Sequence, residues 1–446
     1  MKPPQDAPSP PAAAPYAGGH AGGDGAAHGG HGRAGLRGNA LKQILSHRNY
    51  RLYTIGDGIS LLGSWTQRVA IAWLTWELTQ SAFWLGVVAF ADLFPAVIFS
   101  PIGGVIADRG EPRRISMMTQ MMAMAQSFTL FVLTWTDVID MYLLVFLAAV
   151  RGALAAINQP ARMSLVPSLV PRSDLPAALG MNSVLFNSAR FVGPAIAGAI
   201  IVSGGIALAF AFNAATYLVL IWALWMIDVK PQPREHSGRR GVLSQIGAGY
   251  AYVRHHRGIG PLMLLFAATA MLARPVAEML PGFADGIFER GAQGLAWMTS
   301  AIGLGAMIGG GSMIRRNDTA KLVNVSLTAA FLLSASVLAF ALIPSFWIGL
   351  VLLFLFGFTS STSGVGAQTL TQSAVDDAMR GRVMSLYGVI FRGGPAVGAL
   401  LIGVLAEHLG LQVPVAIGGG ICLLISVWAL TRRRAFVAHL RRPADD

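Results

Sequence analysis

One cysteine, Cys422, is present in 446 residues. A lone thiol excludes an internal disulfide framework, a Cys-based zinc site and a Cys-ligated iron–sulfur cluster. Charge is also scarce. Asp, Glu, Lys and Arg make up 12% of the chain, against ~25% in a typical soluble domain. So few charges cannot cover a surface in water, and lipid is the solvent that fits. Catalytic signatures are missing too: there is no phosphate-binding loop, no His-Glu-x-x-His and no Gly-x-Ser-x-Gly. ATP-driven transport by this chain and the commonest hydrolases therefore have no support.

Apolar residues are abundant. They reach 54%, with 52 glycines and a mean hydropathy of +0.58; glycine is more frequent in membrane helices than in soluble ones. Runs near the ~20 residues needed to cross a bilayer recur along the chain. They predict spans at 52–77, 82–107, 115–135, 141–160, 179–203, 207–228, 259–283, 294–314, 322–343, 346–370, 383–406 and 412–431. The expected fold is an all-α multi-pass membrane protein. The number of spans is even, so both termini lie on one side.

The basic residues agree. Outside the spans, every Lys and Arg except Arg290 falls on the side of the termini, which the positive-inside rule makes cytoplasmic. The net charge of +12 is thus a topology signal and not a nucleic-acid footprint. Residues 1–45 are rich in Gly, Ala, Pro and His and read as a disordered cytoplasmic tail. They lack the layout of a signal peptide. A six-helix half follows over 46–228, then a cytoplasmic linker over 229–258 whose later part alternates apolar and basic residues as an interfacial helix does. A second six-helix half covers 259–432, and a basic tail covers 433–446. The fifth span of each half carries an Arg, a Gly-Pro pair and small residues beyond: Arg190 with Gly193, Pro194 and Gly198, and Arg392 with Gly394, Pro395 and Gly398. The proline pairs are candidate bends. Two parallel six-helix repeats around a midplane site are a recurring transporter plan.

Ionisable residues inside spans are costly and mark function by default. Arg151, Arg190, Arg392 and Asp92 fall near mid-membrane. Asp57 and Arg68, eleven residues apart, share one face of the first span. Asn158 shares a face with Arg151. Arg274 and Glu278 are four residues apart and are expected to pair. Each arginine has a plainer reading as a residue that only joins helices. As a set, five arginines exceed the three interior acids, so a water-filled cavity between the halves is expected. Asp92 and Glu278 are candidate proton carriers, because a carboxyl in low dielectric binds its proton more tightly. Met117, Met118, Met121, Met122 and Met124 read as packing rather than a metal path, and no metal site is expected. Asp137, Asp140, Asp285 and Glu289 read as solvated loop ends.

At the end of the second span the sequence reads GGVIADRGEPRRI, with Gly104, Asp108, Arg109, Arg113 and Arg114. It resembles the loop motif of the major facilitator superfamily, with Glu111 and Pro112 where that motif differs. Leu147-x-x-x-Arg151-Gly152 resembles the superfamily's fourth-helix arginine motif, without its later Gln-Gly portion. Gly193-Pro194-x-x-x-Gly198 resembles the antiporter motif of drug exporters with one extra residue. The stretches 62–82, 159–198, 249–258 and 380–407 together resemble the enterobactin-exporter-like and macrolide-efflux-like branch. The resemblance implies a gating role for residues 104–114 and export of a small organic molecule, such as a drug, a siderophore or another metabolite. It also implies that the proton gradient supplies the energy. An importer or lipid flippase on the same fold is the alternative, and a membrane sensor or enzyme is the reading from another class. No cofactor, enzyme activity or nucleic-acid partner is expected. The chain is expected to act as a monomer in the cytoplasmic membrane, with protons and a small molecule as its partners.

Overall fold

The computed structural model describes residues 42–228, 242–313 and 318–440. The tail before residue 42, the linker over 229–241, Arg315 and Arg316, and the chain after residue 440 lie outside the described residues. Helices account for nearly all of the rest, and no strand occurs among the described residues. The N-terminal half comprises α1 (Arg48–Thr79), α2 (Ala82–Arg109), α3 (Pro112–Trp135), α4 (Met141–Leu165), α5 (Leu175–Gly204) and α6 (Ile206–Met226). The linker helix α7 (Val242–His255) precedes α8 (Ile259–Glu278), α9 (Gly291–Met313), α10 (Thr319–Leu342), α11 (Phe346–Ala374), α12 (Asp377–Leu409) and α13 (Gln412–Thr431). A short α14 (Arg433–Leu440) follows.

Among the described residues, nine helices are long and apolar enough to cross a membrane. The more polar α1, α3 and α9 occupy the positions of the first, third and eighth predicted spans. Their polarity faces inward: α1 buries Asp57, Ser60, Thr66 and Gln67, and α3 buries Ser116, Gln120, Gln126 and Ser127. Asp140 caps α4 by accepting the Leu143 N–H at 2.8 Å, and Asp318 caps α10 through Lys321 in the same way; each satisfies a donor that a helix start leaves free. The turn between fifth and sixth helices uses a left-handed glycine in both halves, Gly205 at φ 86° and Gly410 at φ 75°. That matches the internal repetition of the sequence.

Two helices are interrupted. α2 breaks at Phe94, just before Pro95, where the proline supplies no backbone donor. α8 loses regular geometry over Thr269–Ala273, a π turn, and Arg274–Glu278, a 3₁₀ turn, around Pro275. Pro194 and Pro395, the expected bend points, lie inside uninterrupted helices.

The two halves meet at the end of the bundle away from the start of α1. One apolar core there joins Val69, Trp76, Leu85 and Ala89 of the first half to Met279, Leu280, Phe283 and Phe340 of the second. Two seams of small residues bring backbones together. A Cβ on Gly86 of α2 would lie 2.6 Å from the Ala399 carbonyl oxygen of α12, and one on Gly303 of α9 would lie 2.5 Å from the Arg190 carbonyl oxygen of α5. Close approach of this kind is what small residues give to membrane helix pairs. At the end where α1 begins, each apolar core among the described residues belongs to one half alone. There α7 and α14 pack onto the second half through Val253, Phe436 and Leu440. The expected basic tail therefore begins as a docked helix, because Phe436 and Leu440, four apart, give it an apolar face.

Candidate substrate and proton site

A cavity of about 280 Å³ is lined from the N-terminal half alone, by α1, α3, α4, α5 and α6, whereas the sequence reading expects one between the halves. Asp57 and Arg68 both reach it, as their spacing on α1 predicts, and so do Arg151 and Asn158 from α4. Trp65, Gln120, Gln159, Phe186 and Tyr217 supply aromatic and amide surface. A second, smaller cavity of about 30 Å³ joins Arg68, Asp92, Arg151 and Glu278.

Three ion pairs organise the charges. Arg151 of α4 pairs with Asp92 of α2. Arg68 of α1 pairs with Glu278 of α8 at 2.6 Å and so bridges the halves. Arg162 pairs with Asp57 at 2.6 Å, and its Nε donates to the Tyr53 hydroxyl at 3.4 Å.

Two of these pairs correct the sequence reading. Arg274 and Glu278 do not pair with each other. A 3₁₀ turn advances ~120° per residue instead of ~100°, so side chains four apart diverge and Glu278 turns to Arg68. Arg162 is not a loop residue, because α4 runs on to Leu165 and carries it to the buried Asp57. Nothing in the local pattern around Arg162 distinguished it from a topology charge; only the facing acid on α1 does.

Arg190, Arg274 and Arg392 have no carboxylate partner among the described residues. Arg190 sits over the Trp65 ring at 5.7 Å and Arg274 over the Phe391 ring at 4.6 Å. Arg392 donates to the Ser100 hydroxyl. The expected excess of arginine over acid therefore persists in the tertiary structure.

The loop motif is spread out in this conformation. Asp108 and Arg109 are exposed, and Asp108 makes no ion pair among the described residues. Arg113 donates to the Leu224 and Trp225 carbonyls at 2.7 and 2.9 Å, capping α6 within its own half. Arg114 pairs with Glu111. A Cβ on Gly104 would meet nothing within 4 Å, whereas one on Gly103 would lie 2.8 Å from the Ile157 Cα; the tight glycine is the neighbour of the expected one. Gly193 packs on Trp65, Gly198 on Ala296, Gly394 on Ala270 and Gly398 on the Met271 backbone, so these glycines serve helix contact.

Sequence reasoning missed a buried amide network. Gln67 Nε2 donates to Gln126 Oε1 at 3.0 Å, and Gln67 Oε1 accepts from Ser127 at 2.8 Å and from Asn213. It ties α1, α3 and α6 together beside the cavity. Uncharged amides in apolar runs were the available signal, and attention to formal charge passed over them. Two plainer readings also change. Met118, Met121 and Met122 are exposed on the helix surface and do not fill core. Asp285 accepts the Trp76 indole N–H at 2.9 Å across the halves and Asp140 is a helix cap, so neither is merely a solvated loop end.

A family model described as transmembrane secretion effector, of the major facilitator type, matches residues 43–439. The chain belongs to that family. It is similar to the enterobactin exporter EntS of Escherichia coli O1:K1, with 26% identity over 382 residues that cover 84% of this chain and 89% of the relative. Its counterpart in Shigella boydii serotype 18 matches with the same identity and coverage. Among solved structures, a bacterial homologue of the lysosomal transporter Spinster, inward-facing and unoccupied, aligns with a TM-score of 0.64 at 14% identity, covering 91% of this chain and 99% of that one. A mutant peptide transporter, POT, in complex with sulfate aligns with a TM-score of 0.69 at 14% identity, covering 89% and 99%. The protein is a multi-pass membrane transporter of the enterobactin-exporter-like branch, not an enzyme.

Proposed function

We propose that the protein exports a small organic molecule across the cytoplasmic membrane in exchange for protons, acting as a monomer. The basic residues on the terminal side put both termini in the cytoplasm. The far-end seams then close the periplasmic side, and this conformation faces inward. The exposed, unpaired Asp108 fits that assignment, since the loop motif engages in the outward-facing state of the family it resembles.

The observation that carries the reading is the Arg68–Glu278 bridge beside Arg151–Asp92. Substrate bound in the inward-facing state displaces Glu278 from Arg68, so α1 is no longer held to α8 and the far end can part. Facing the periplasm, the freed carboxylate of Glu278, or that of Asp92 beside it, takes a proton and carries it inward on the return. Release of that proton to the cytoplasm restores the bridge and closes the far end. Substrate thus leaves as protons enter, which is what antiport requires. Asp57, Arg68, Arg151 and Asn158 line the substrate path, with Arg190, Arg274 and Arg392 around it. The relatives' names as enterobactin exporters support a siderophore or other secreted metabolite as cargo.

Purified protein in proteoliposomes with a pH-sensitive dye inside tests this. Under an imposed proton gradient, candidate compounds are expected to drive proton movement that disappears in Asp92→Asn or Glu278→Gln. Arg151→Ala and Asp108→Ala are expected to fold and to slow transport. Substrate movement with no proton signal would reject the coupling and leave an importer on another ion, a facilitator or a flippase.

A further inference from the structure

The cavity of the N-terminal half is unlike at its two ends. Its length follows α1 and α4, which run in opposite directions. Arg162 meets Asp57 at one end, and Arg151 and Arg68 border the small second cavity at the other. Eleven residues separate Asp57 from Arg68, and eleven separate Arg151 from Arg162, which is about 16 Å of helix. At the Arg68–Arg151 end both guanidiniums line the large cavity, whereas their carboxylates, Glu278 and Asp92, line only the small one. The large cavity therefore meets positive charge there with no acid beside it. Each arginine uses Nη2 on its carboxylate, and the Arg151 Nε is buried with no acceptor.

At the Asp57 end the unmet demand has the opposite sense. Arg162 takes the Asp57 Oδ2, and Oδ1 is buried with no donor. A carboxylate oxygen left in that state is costly. Gln120 on α3, 6% exposed, lines the same cavity and makes no hydrogen bond among the described residues. Between the ends the wall is apolar, with Leu61, Trp65, Leu154 and Phe186; Trp65 and Phe186 lie edge to face at 5.8 Å. A volume of about 280 Å³ is at the lower edge of the ~300–1,000 Å³ of ligand sites, so a compact molecule fits.

We propose that the cavity binds a compact organic acid with an apolar body, its carboxylate on Arg68 and Arg151 and a hydroxyl at its far end donating to Asp57. The proposal rests on the reading of this chain as a small-molecule exporter and names its substrate class. The carboxylate competes with Glu278 for Arg68, so binding itself loosens the bridge between the halves. An acid without the far donor leaves the Asp57 Oδ1 unmet, and an alcohol without the acid leaves the bridge intact.

The test is equilibrium binding to the full chain in zwitterionic nanodiscs at neutral pH, with no proton gradient. The probes are 6-hydroxy-2-naphthoate, 2-naphthoate, which lacks the hydroxyl, and 2-naphthol, which lacks the acid. The hydroxy acid is expected to bind at least about tenfold more tightly than either, the scale of a hydrogen bond to a charged group. Arg151→Gln with Asp92→Asn removes a guanidinium and its carboxylate together, as does Arg68→Gln with Glu278→Gln, so neither strands a charge. Each should lower the preference over 2-naphthol and keep the preference over 2-naphthoate. Asp57→Leu with Arg162→Met should do the reverse. A hydroxy acid bound no better than either simpler probe, preferences that survive these substitutions, or no binding would overturn the proposal. A proton-coupled exporter of neutral molecules would pass the proteoliposome assay and fail this one, and an acid-binding protein that exchanges no protons would do the opposite, so the two readings fail separately.

Discussion

Arg68 Nη2 and Glu278 Oε1 lie 2.6 Å apart and are contributed by opposite halves of the molecule. The pair sits beside a second one, Arg151–Asp92, and all four residues border one small cavity. Charge is therefore gathered where the first half meets the second. Glu278→Gln keeps the shape and removes the charge. On the proposed coupling it is expected to remove the substrate-driven proton signal, with folded protein still recovered, because glutamine cannot take up a proton at that place. Unchanged transport in proteoliposomes would take Glu278 out of the coupling.

The Asp57–Arg162 pair is an internal fastener of one half. Asp57 is 1% exposed, so Asp57→Ala leaves Arg162 uncompensated and should destabilise by on the order of 3–5 kcal/mol. The double variant Asp57→Leu with Arg162→Met is expected to recover most of that loss. Thermal melting of the four proteins in detergent forms the cycle. A double variant no more stable than the singles would show that the pair matters for more than charge balance.

The far-end seams are backbone contacts with no flexible side chain to yield. Gly86→Val and Gly403→Val each place a Cβ against a carbonyl, at 2.6 Å from Ala399 and 2.7 Å from Ala82. Both should hold the far end apart. Cys422 is the sole thiol and buried, so Ser81→Cys, in a background where Cys422 is Ser, gives a single accessible reporter. Its labelling by an impermeant maleimide should speed up in either variant; equal rates would mean that the seams do not set closure.

His256 gives the protein one readable acid sensitivity. Its Nδ1 accepts the Gly258 and Ile259 N–H groups at 3.1 Å each, and only an unprotonated nitrogen can do so. Burial lowers the ring's pKa below its ordinary value, with Asp376 opposing and His439 adding to the effect. The folded state therefore binds fewer protons than the unfolded one, and stability rises with pH. The contribution is complete above the ordinary histidine value near ~6.5 and is lost as pH falls through the lowered folded value. Melting temperature between pH 7.5 and 5 should fall more steeply for the wild type than for His256→Asn, whose side-chain oxygen caps without titrating. Parallel slopes would discount the cap.

Much of the membrane architecture was legible because it depends on local quantities. Apolar run length located the helices, and basic side chains marked one face of the bundle. The repeated Arg with Gly-Pro in the fifth helix of each half foreshadowed the matched Gly205 and Gly410 turns. Residues of the cavity were legible where helical spacing alone aligned them, as for Asp57 with Arg68 and Arg151 with Asn158. Partnerships were not. The expected Arg274–Glu278 pair failed because Pro275 and the adjoining π turn rotate one residue away from the other, and spacing rules assume a regular helix. Arg162 was indistinguishable from a topology charge until α4 proved a turn longer.

The sequence by itself determined that this chain lies in lipid, that its basic residues gather outside the apolar runs and that its interior holds more guanidinium than carboxylate. Each of these follows from composition and one-dimensional spacing, because hydropathy and charge act on every segment independently. The tertiary structure alone decided which acid neutralises which arginine, and that Gly86 and Gly303 rather than the prolines set how the halves approach. Those are distances between segments remote in the chain, and only close packing of helix on helix fixes them.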